Sequence, residues 1–396
     1  MEGPDLADCQ FGFREGRSTI DAIMRVRALS EEAVSRGGVA MAISLDISNA
    51  FNTLPWECIR RALEFHRVPP YIRKVVGDYL KDRCITYLGR YKVPYRRETN
   101  RGVPQGSVLG PLLWNLGYDW VLRGALLTGL SVVCYADDTL VMARGDSWEE
   151  AARLARVGGA LVVGRIRALG LEVALHKTEA MFFTWPRRGR PPQRHIEIEG
   201  VRIEIRPHMK YLGLYLDCRW CFKEHFCRMA PRIRAAVNAF GRLLPNIGGP
   251  KDWVRRLYMG VVGSMILYGA PVWAGDLMAS RGSVSVVREL QRRLANRIAR
   301  AYRTTSGEAA CAVSGSIPWT LLAGMHASMY EWRVSLRRRG EIPTQAAAKV
   351  VRHQLRQHTI DEWKTRMADP RAGHRAVGAI QPVLSEWLDR RHGGLS

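Results

Sequence analysis

At 396 residues the chain is longer than one compact domain and should divide into two or three, and 47% hydrophobic residues exclude a disordered or low-complexity chain. Lys and Arg number 60 against 37 Asp and Glu, a net charge of +23, and such an excess implies a polyanionic partner, because neutralising phosphates releases counterions. No run of about 18 apolar residues and no signal-peptide pattern is present, so nucleic acid rather than a lipid surface is the expected polyanion.

In chain order, Gln10-Phe11-Gly12-Phe13-Arg14 leads into an amphipathic helix predicted over Thr19–Ser35, with Ile23, Val26 and Leu29 on its apolar side and Gly37-Gly38 as its stop. Val39–Leu45 reads as a short apolar strand ending in Asp46. An acid where a central strand turns into a loop is a usual metal-ligand position, although Asp also caps helices and turns. Helices are expected over Pro55–Arg67 and Pro70–Asp82, each with a proline in its first turn, followed by a β-like stretch from Cys84 to Tyr95. Arg101-Gly102-Val103-Pro104-Gln105-Gly106-Ser107 is a Gly/Pro loop feeding an apolar helix that runs to about Leu127. Such loops expose backbone N–H groups and permit close approach of a nucleotide.

Tyr135-Ala136-Asp137-Asp138 lies between the apolar runs Val132–Tyr135 and Thr139–Met142, which predicts a tight hairpin with both acids at its turn. Asp is an ordinary turn residue. Adjacent half-buried carboxylates nevertheless repel, and a fold keeps them together when something positive sits between them. A helix follows over Ser147–Leu169 with Ser147 as N-cap, then strands over Leu171–Leu175 and Ala180–Thr184, a basic loop from Arg187 to Arg194, a hairpin over Ile196–Ile205 and a single strand over Met209–Asp217. From about Phe222 the pattern is helical, with a domain boundary expected between Pro245 and Pro250. Within Val287–Arg303, Val287, Leu290, Leu294 and Ile298 share one face while Arg288, Arg292, Arg293 and Arg297 crowd the others. That pattern suits a phosphate backbone or simply a solvated face. The spacing of Cys218, Cys221, His225 and Cys227 is too short at its end to wrap one zinc ion, and the eight cysteines read as free thiols.

Taken together, Asp46 and Phe51 behind a strand, Gly-Val-Pro-Gln-Gly at 102–106, Tyr-Ala-Asp-Asp at 135–138, Lys177, and Tyr-Leu-Gly at 211–213 closely resemble the palm of reverse transcriptases, specifically those of non-LTR (LINE-type) retrotransposons. Phe11 to Ile23 is similar to the fingers block of that family, and Tyr268–Trp273 and Ala301–Ser306 to its thumb and post-thumb segments. The resemblance implies an α+β, right-hand polymerase with an antiparallel-sheet palm. Its divisions would be partial fingers (1–38), a palm with inserted finger helices (39–217), a palm-to-thumb connection (218–248), a helical thumb (249–305) and a helical C-terminal extension (306–396).

The resemblance also implies a site. Asp46, Asp137 and, less directly, Asp138 would hold two Mg²⁺ ions, with Mn²⁺ as a substitute and the Ile47 carbonyl as a further ligand. Phe51, with Ala50, would exclude a ribose 2′-hydroxyl and so select dNTPs, unless Phe51 is only a core aromatic; Gln105 and Gly106 would line the nucleotide pocket. Lys177 would protonate pyrophosphate or be a plain surface lysine. Tyr211, Leu212 and Gly213 would grip the primer, and Arg288, Arg292, Arg293 and Arg297 would contact nucleic acid. The implied partners are an RNA template, a DNA primer and dNTPs, without a membrane, in the nucleus. The upstream basic fingers block, an endonuclease and a zinc knuckle of the family's polyprotein are expected to be missing, with Trp387–Gly394 similar to the segment before that knuckle. Three alternatives stay open: a catalytically silent nucleic-acid-binding remnant, a group II intron-type reverse transcriptase, and, less consistent with Tyr135 and Phe51, a viral RNA polymerase.

Overall fold

The spacing that predicts a helix over Thr19–Ser35 yields one with those bounds (α1), capped by Ser18, whose side chain accepts the Asp21 N–H. Val39–Leu45 forms the first strand (β1). The computed structural model describes residues 3–184, 189, 191–244, 252–369 and 374–389. After β1 come a helical turn, Ala50–Thr53 (α2), and the proline-led helices Trp56–Phe65 (α3) and Pro70–Leu80 (α4). The β-like stretch from Cys84 is a hairpin of Cys84–Leu88 (β2) and Pro94–Glu98 (β3), and the apolar helix, Gly110–Leu122 (α5), ends short of Leu127.

Leu130–Tyr135 (β4) and Asp138–Gly145 (β5) form the expected acidic hairpin, followed by Trp148–Ala168 (α6), Glu179–Phe183 (β6) and a hairpin of His195–Ile198 (β7) and Val201–Glu204 (β8). Two expectations are corrected. Leu171–Leu175 is no strand: only Val173 bridges to Ile47, and Leu175–Lys177 tightens into a 3₁₀ turn. The single strand over Met209–Asp217 is two, His208–Tyr211 (β9) and Leu214–Asp217 (β10). Leu212 and Gly213 between them both have positive φ, 44° and 86°, the geometry of a two-residue hairpin turn.

The chain divides into two compact units, Met1–Gly213 with Asp217–Arg219, and Leu214–Leu216 with Trp220–Ser396. In the first, the sheet order is β4-β5-β1-β6, antiparallel throughout, so β1 is interior. Val39, Met41, Ile43 and Leu45 belong to the main core, and Ala40 and Ala42, on the strand's other face, are buried too. Cover on both faces accounts for the unbroken apolar run, and each fully buried large side chain stabilises by about 1.5–3 kcal/mol. Helices α1 and α6 both pack on this sheet. Ser147 caps α6 as expected, accepting the Glu150 N–H.

The second unit is helical: Lys223–Leu243 (α7), Asp252–Ile266 (α8), Ala270–Ala279 (α9), Arg281–Ile298 (α10), Gly307–Ser314 (α11), Trp319–Arg338 (α12), Gln345–Met367 (α13), His374–Ile380 (α14) and Leu384–Asp389 (α15). Trp273, Trp319 and Trp363 are fully buried in it. The boundary expected at Pro245–Pro250 lies outside the described residues, as do residues 187, 188 and 190 of the basic loop and the closing stretch from residue 390.

Candidate active site

The register between β1 and β5 ends at Leu45↔Thr139, so Asp46 and Asp138 are the next residues on the two chains, and Asp137 follows in the turn. Directly opposed residues in an antiparallel pair have Cβ atoms roughly 5 Å apart, so all three acids crowd one end of the sheet. Burial, then the charge of Asp46, raises Asp137; burial, then Asp137 and Asp46, pushes Asp138 up to about 6. Lys210, on β9, works the other way and lowers Asp138. Lys177 Nζ lies 3.2 Å from Asp46 Oδ2, so the motif lysine reaches the first aspartate.

The turn is held from beneath by a residue that the sequence reading did not single out. Gln10 is 1% exposed. Its Oε1 accepts the N–H groups of Ala136 and Gly12, each at 2.9 Å, and its Nε2 donates to the Ala136 carbonyl at 3.2 Å. Ala136 has φ 59°, the left-handed region, which costs a non-glycine residue about 1–2 kcal/mol. The Gln10 amide satisfies both backbone groups of that strained residue. Gly12 is required by the same approach: a Cβ there would fall 2.2 Å from the Ala136 nitrogen. The segment is fixed alongside β4 by Phe11 N–H to the Cys134 carbonyl (2.7 Å) and Cys134 N–H to the Cys9 carbonyl (2.8 Å). Below the turn, Tyr118 and Thr139 share a hydroxyl hydrogen bond of 2.8 Å, and burial holds the Cys134 thiol far above its ordinary range, so it stays a neutral donor. The only sequence signal was Gln10-Phe11-Gly12 itself; a partner 126 positions away leaves no local pattern.

Phe51, on α2, is half-buried. Its ring stacks on Trp114 at 4.9 Å and meets Phe13 edge-on at 6.1 Å. Ala50 is buried beside it. The Val103 N–H donates to the Phe51 carbonyl at 2.7 Å, tying the Gly/Pro loop to α2, while Gln105 and Gly106 stand exposed beyond that bond. The bridge between Ile47 and Val173 uses the Asp46 carbonyl and the Ser48 N–H, leaving the Ile47 carbonyl outside it.

Of the expected primer-grip residues, Tyr211 is 2% exposed, so its ring belongs to the core, close enough to Cys134 and Asp138 for both to raise its hydroxyl pKa after burial has done so. Leu212 and Gly213 are the accessible part of that turn. In the second unit, Arg292, Arg293 and Arg297 line an open cleft of about 710 Å³ between α7 and α10, joined by Arg242 and Arg303. Arg292 is committed to the Thr305 and Arg303 carbonyls at 2.8 and 2.9 Å, and Arg293 to Glu289 at 2.9 Å. Arg288 lies outside this cleft, beside Arg366 and Glu308.

Among the described residues no three His, Cys, Asp or Glu side chains are gathered into a chelating cluster. The donor chemistry of Asp46, Asp137 and Asp138 still suits a hard divalent cation: burial and, after it, the neighbouring acids raise Asp137 and Asp138, and a cation stabilises carboxylates so placed.

A family model described as reverse transcriptase (RNA-dependent DNA polymerase) matches residues 2–216. The Pol polyprotein of the type-1 retrotransposable element R1 of Bradysia coprophila is 26% identical over 331 residues, covering 83% of this chain and 32% of the relative. A probable RNA-directed DNA polymerase from transposon BS of Drosophila melanogaster is 29% identical over 303 residues, covering 73% and 32%. The chain thus spans about a third of the length of these curated relatives. Apo telomerase from Candida tropicalis matches at 11% identity and a TM-score of 0.42 over 96% of this chain and 57% of that one, a likeness too remote to argue from. With more than half its length matched, the chain belongs to the reverse transcriptase (RNA-dependent DNA polymerase) family and, by these relatives, to its non-LTR retrotransposon branch.

Proposed function

We propose that the chain copies RNA into DNA, transferring deoxynucleotides to a primer 3′-hydroxyl. The observation that carries this reading is the β1–β5 register, which ends at Leu45↔Thr139 with Asp46 and Asp138 as the next residues and Asp137 beside them, in a chain of this family. In the transfer, the primer 3′-oxygen bonds to the α-phosphorus, the α–β bridging P–O bond breaks, and pyrophosphate departs. Divalent ions, two Mg²⁺ with Mn²⁺ as a substitute, would be held by Asp46, Asp137, Asp138 and the Ile47 carbonyl, and when bound they neutralise phosphate charge and acidify the attacking hydroxyl.

The chain's own side chains do the rest. Lys177 gives a proton to the departing pyrophosphate. The Phe51 ring, backed by Trp114, leaves a ribose 2′-hydroxyl neither space nor a hydrogen-bond partner. Gln105 and Gly106 meet the sugar or template base, the Leu212–Gly213 turn meets the primer, and the arginine-lined cleft of the second unit takes backbone phosphates. Primer extension on an RNA template with Mg²⁺ and dNTPs tests the reading. Activity is expected from the parent chain, and undiminished extension by Asp137→Asn would sink the assignment.

A second reading, a nucleic-acid-binding remnant without catalysis, draws on the lack of a closed three-acid cluster among the described residues. It predicts salt-sensitive RNA binding with no incorporation under Mg²⁺ or Mn²⁺.

A further inference from the structure

The hairpin of β2 and β3 has no core to explain its side chains. Every residue of both strands is exposed. Yet Ile85, Tyr87, Leu88, Val93 and Tyr95 are each more than half exposed, and Tyr91 at its tip is 83% exposed. Apolar groups gathered this densely in water mark an interaction surface. The register pairs Ile85 with Arg97 and Tyr87 with Tyr95, so these four share one face, and the two tyrosine rings stack at 5.7 Å with planes 17° apart. Between Lys81 and Arg101 seven Lys or Arg stand against two acids. An exposed aromatic pair in so basic a stretch matches unpaired bases and their phosphates, whereas a second protein surface would have to bury that charge.

We propose that this hairpin docks single-stranded RNA, with bases stacking on the Tyr87–Tyr95 face and phosphates meeting Arg97 on that face and the basic tip at Arg90 and Lys92. The inference rests on the reading that the chain handles an RNA strand, which makes RNA the occupant, and it adds an anchor separate from the aspartates.

The test is binding of a labelled single-stranded RNA of about twenty nucleotides by the full chain, in EDTA and without dNTPs, so that the aspartate site contributes nothing. The Tyr87→Ala/Tyr95→Ala variant should bind about 10- to 100-fold more weakly, while Tyr87→Phe/Tyr95→Phe, which keeps both rings, stays within about threefold of the parent. Arg90→Gln/Arg97→Gln should lower the slope of log affinity against log salt by about 0.7 per lost contact. The proposal is overturned if the alanine variant binds single-stranded RNA like the parent, if a base-paired RNA loses equally, or if single-stranded DNA binds more tightly through the same tyrosines. It is also overturned if the alanine variant changes the sedimentation of the protein instead, which assigns the face to a protein contact. Failure here is distinct from failure of the polymerase reading, which is judged by extension with Asp137→Asn.

Discussion

Two hairpins of the first unit use the same antiparallel geometry to opposite ends. The β4–β5 hairpin alternates its apolar residues into cores on both sides, leaving only its turn for chemistry, and that turn is fixed by Gln10, Cys134 and Thr139 from below. The β2–β3 hairpin keeps both faces in water and holds itself by its own ladder and one tyrosine stack. The difference teaches that rigidity follows where charge must be held against repulsion, and that exposure is retained where a flexible strand must be met.

The sharpest way to break that comparison is at the rigid turn. Asp137→Asn should lower the extension rate on the order of a hundredfold or more, since several kcal/mol of charge stabilisation is lost, while the melting temperature stays level or rises because one repelling charge is gone. Gln10→Ala comes next. It strands the N–H groups of Ala136 and Gly12, while the Ala136 carbonyl keeps the Cys134 thiol, and at about 1–3 kcal/mol for each buried group left unmade thermal unfolding should show a loss of roughly 2–6 kcal/mol together with reduced extension. Gln10→Glu, able to accept both N–H groups but not to donate to the carbonyl, should recover part of both.

Smaller effects sharpen the contrast. Ala136→Gly removes the left-handed strain and should raise stability by up to about 1 kcal/mol in the same melt. Tyr87→Ala/Tyr95→Ala should cost less than about 1 kcal/mol, the worth of one cross-strand pair, because both rings are more than half exposed. A drop in stability comparable to that of Gln10→Ala would mean the outer hairpin is also a built-in support.

The sequence already contained much of this. Thr19–Ser35 and Val39–Leu45 keep their expected bounds, because their amphipathic spacing and glycine stop are local signals, and the acidic hairpin follows from alternation on either side of Asp137-Asp138. The Tyr-Leu-Gly stretch hid two strands in one, since Leu212 takes a positive φ that nothing in a leucine announces. Tyr211, expected in the primer grip, has its ring buried in the core, which its tyrosine alone does not announce. Lys210 and Gln10 escaped notice because each acts on a partner far away in the chain. The aromatic hairpin was legible as β-structure, but exposure depends on what fails to pack against it, which no local pattern records.

The hydrogen bond from Val103 to the Phe51 carbonyl joins two pieces that the polymerase reading gives separate duties, one sensing the sugar and the other the sugar or template base. A displacement of either end is transmitted to the other through that hydrogen bond and the neighbouring one from the Gly102 N–H to the Leu54 carbonyl. Substitutions that loosen sugar choice should therefore arise not only at position 51 but along the loop from Arg101 to Ser107, and fidelity in pairing should shift with them.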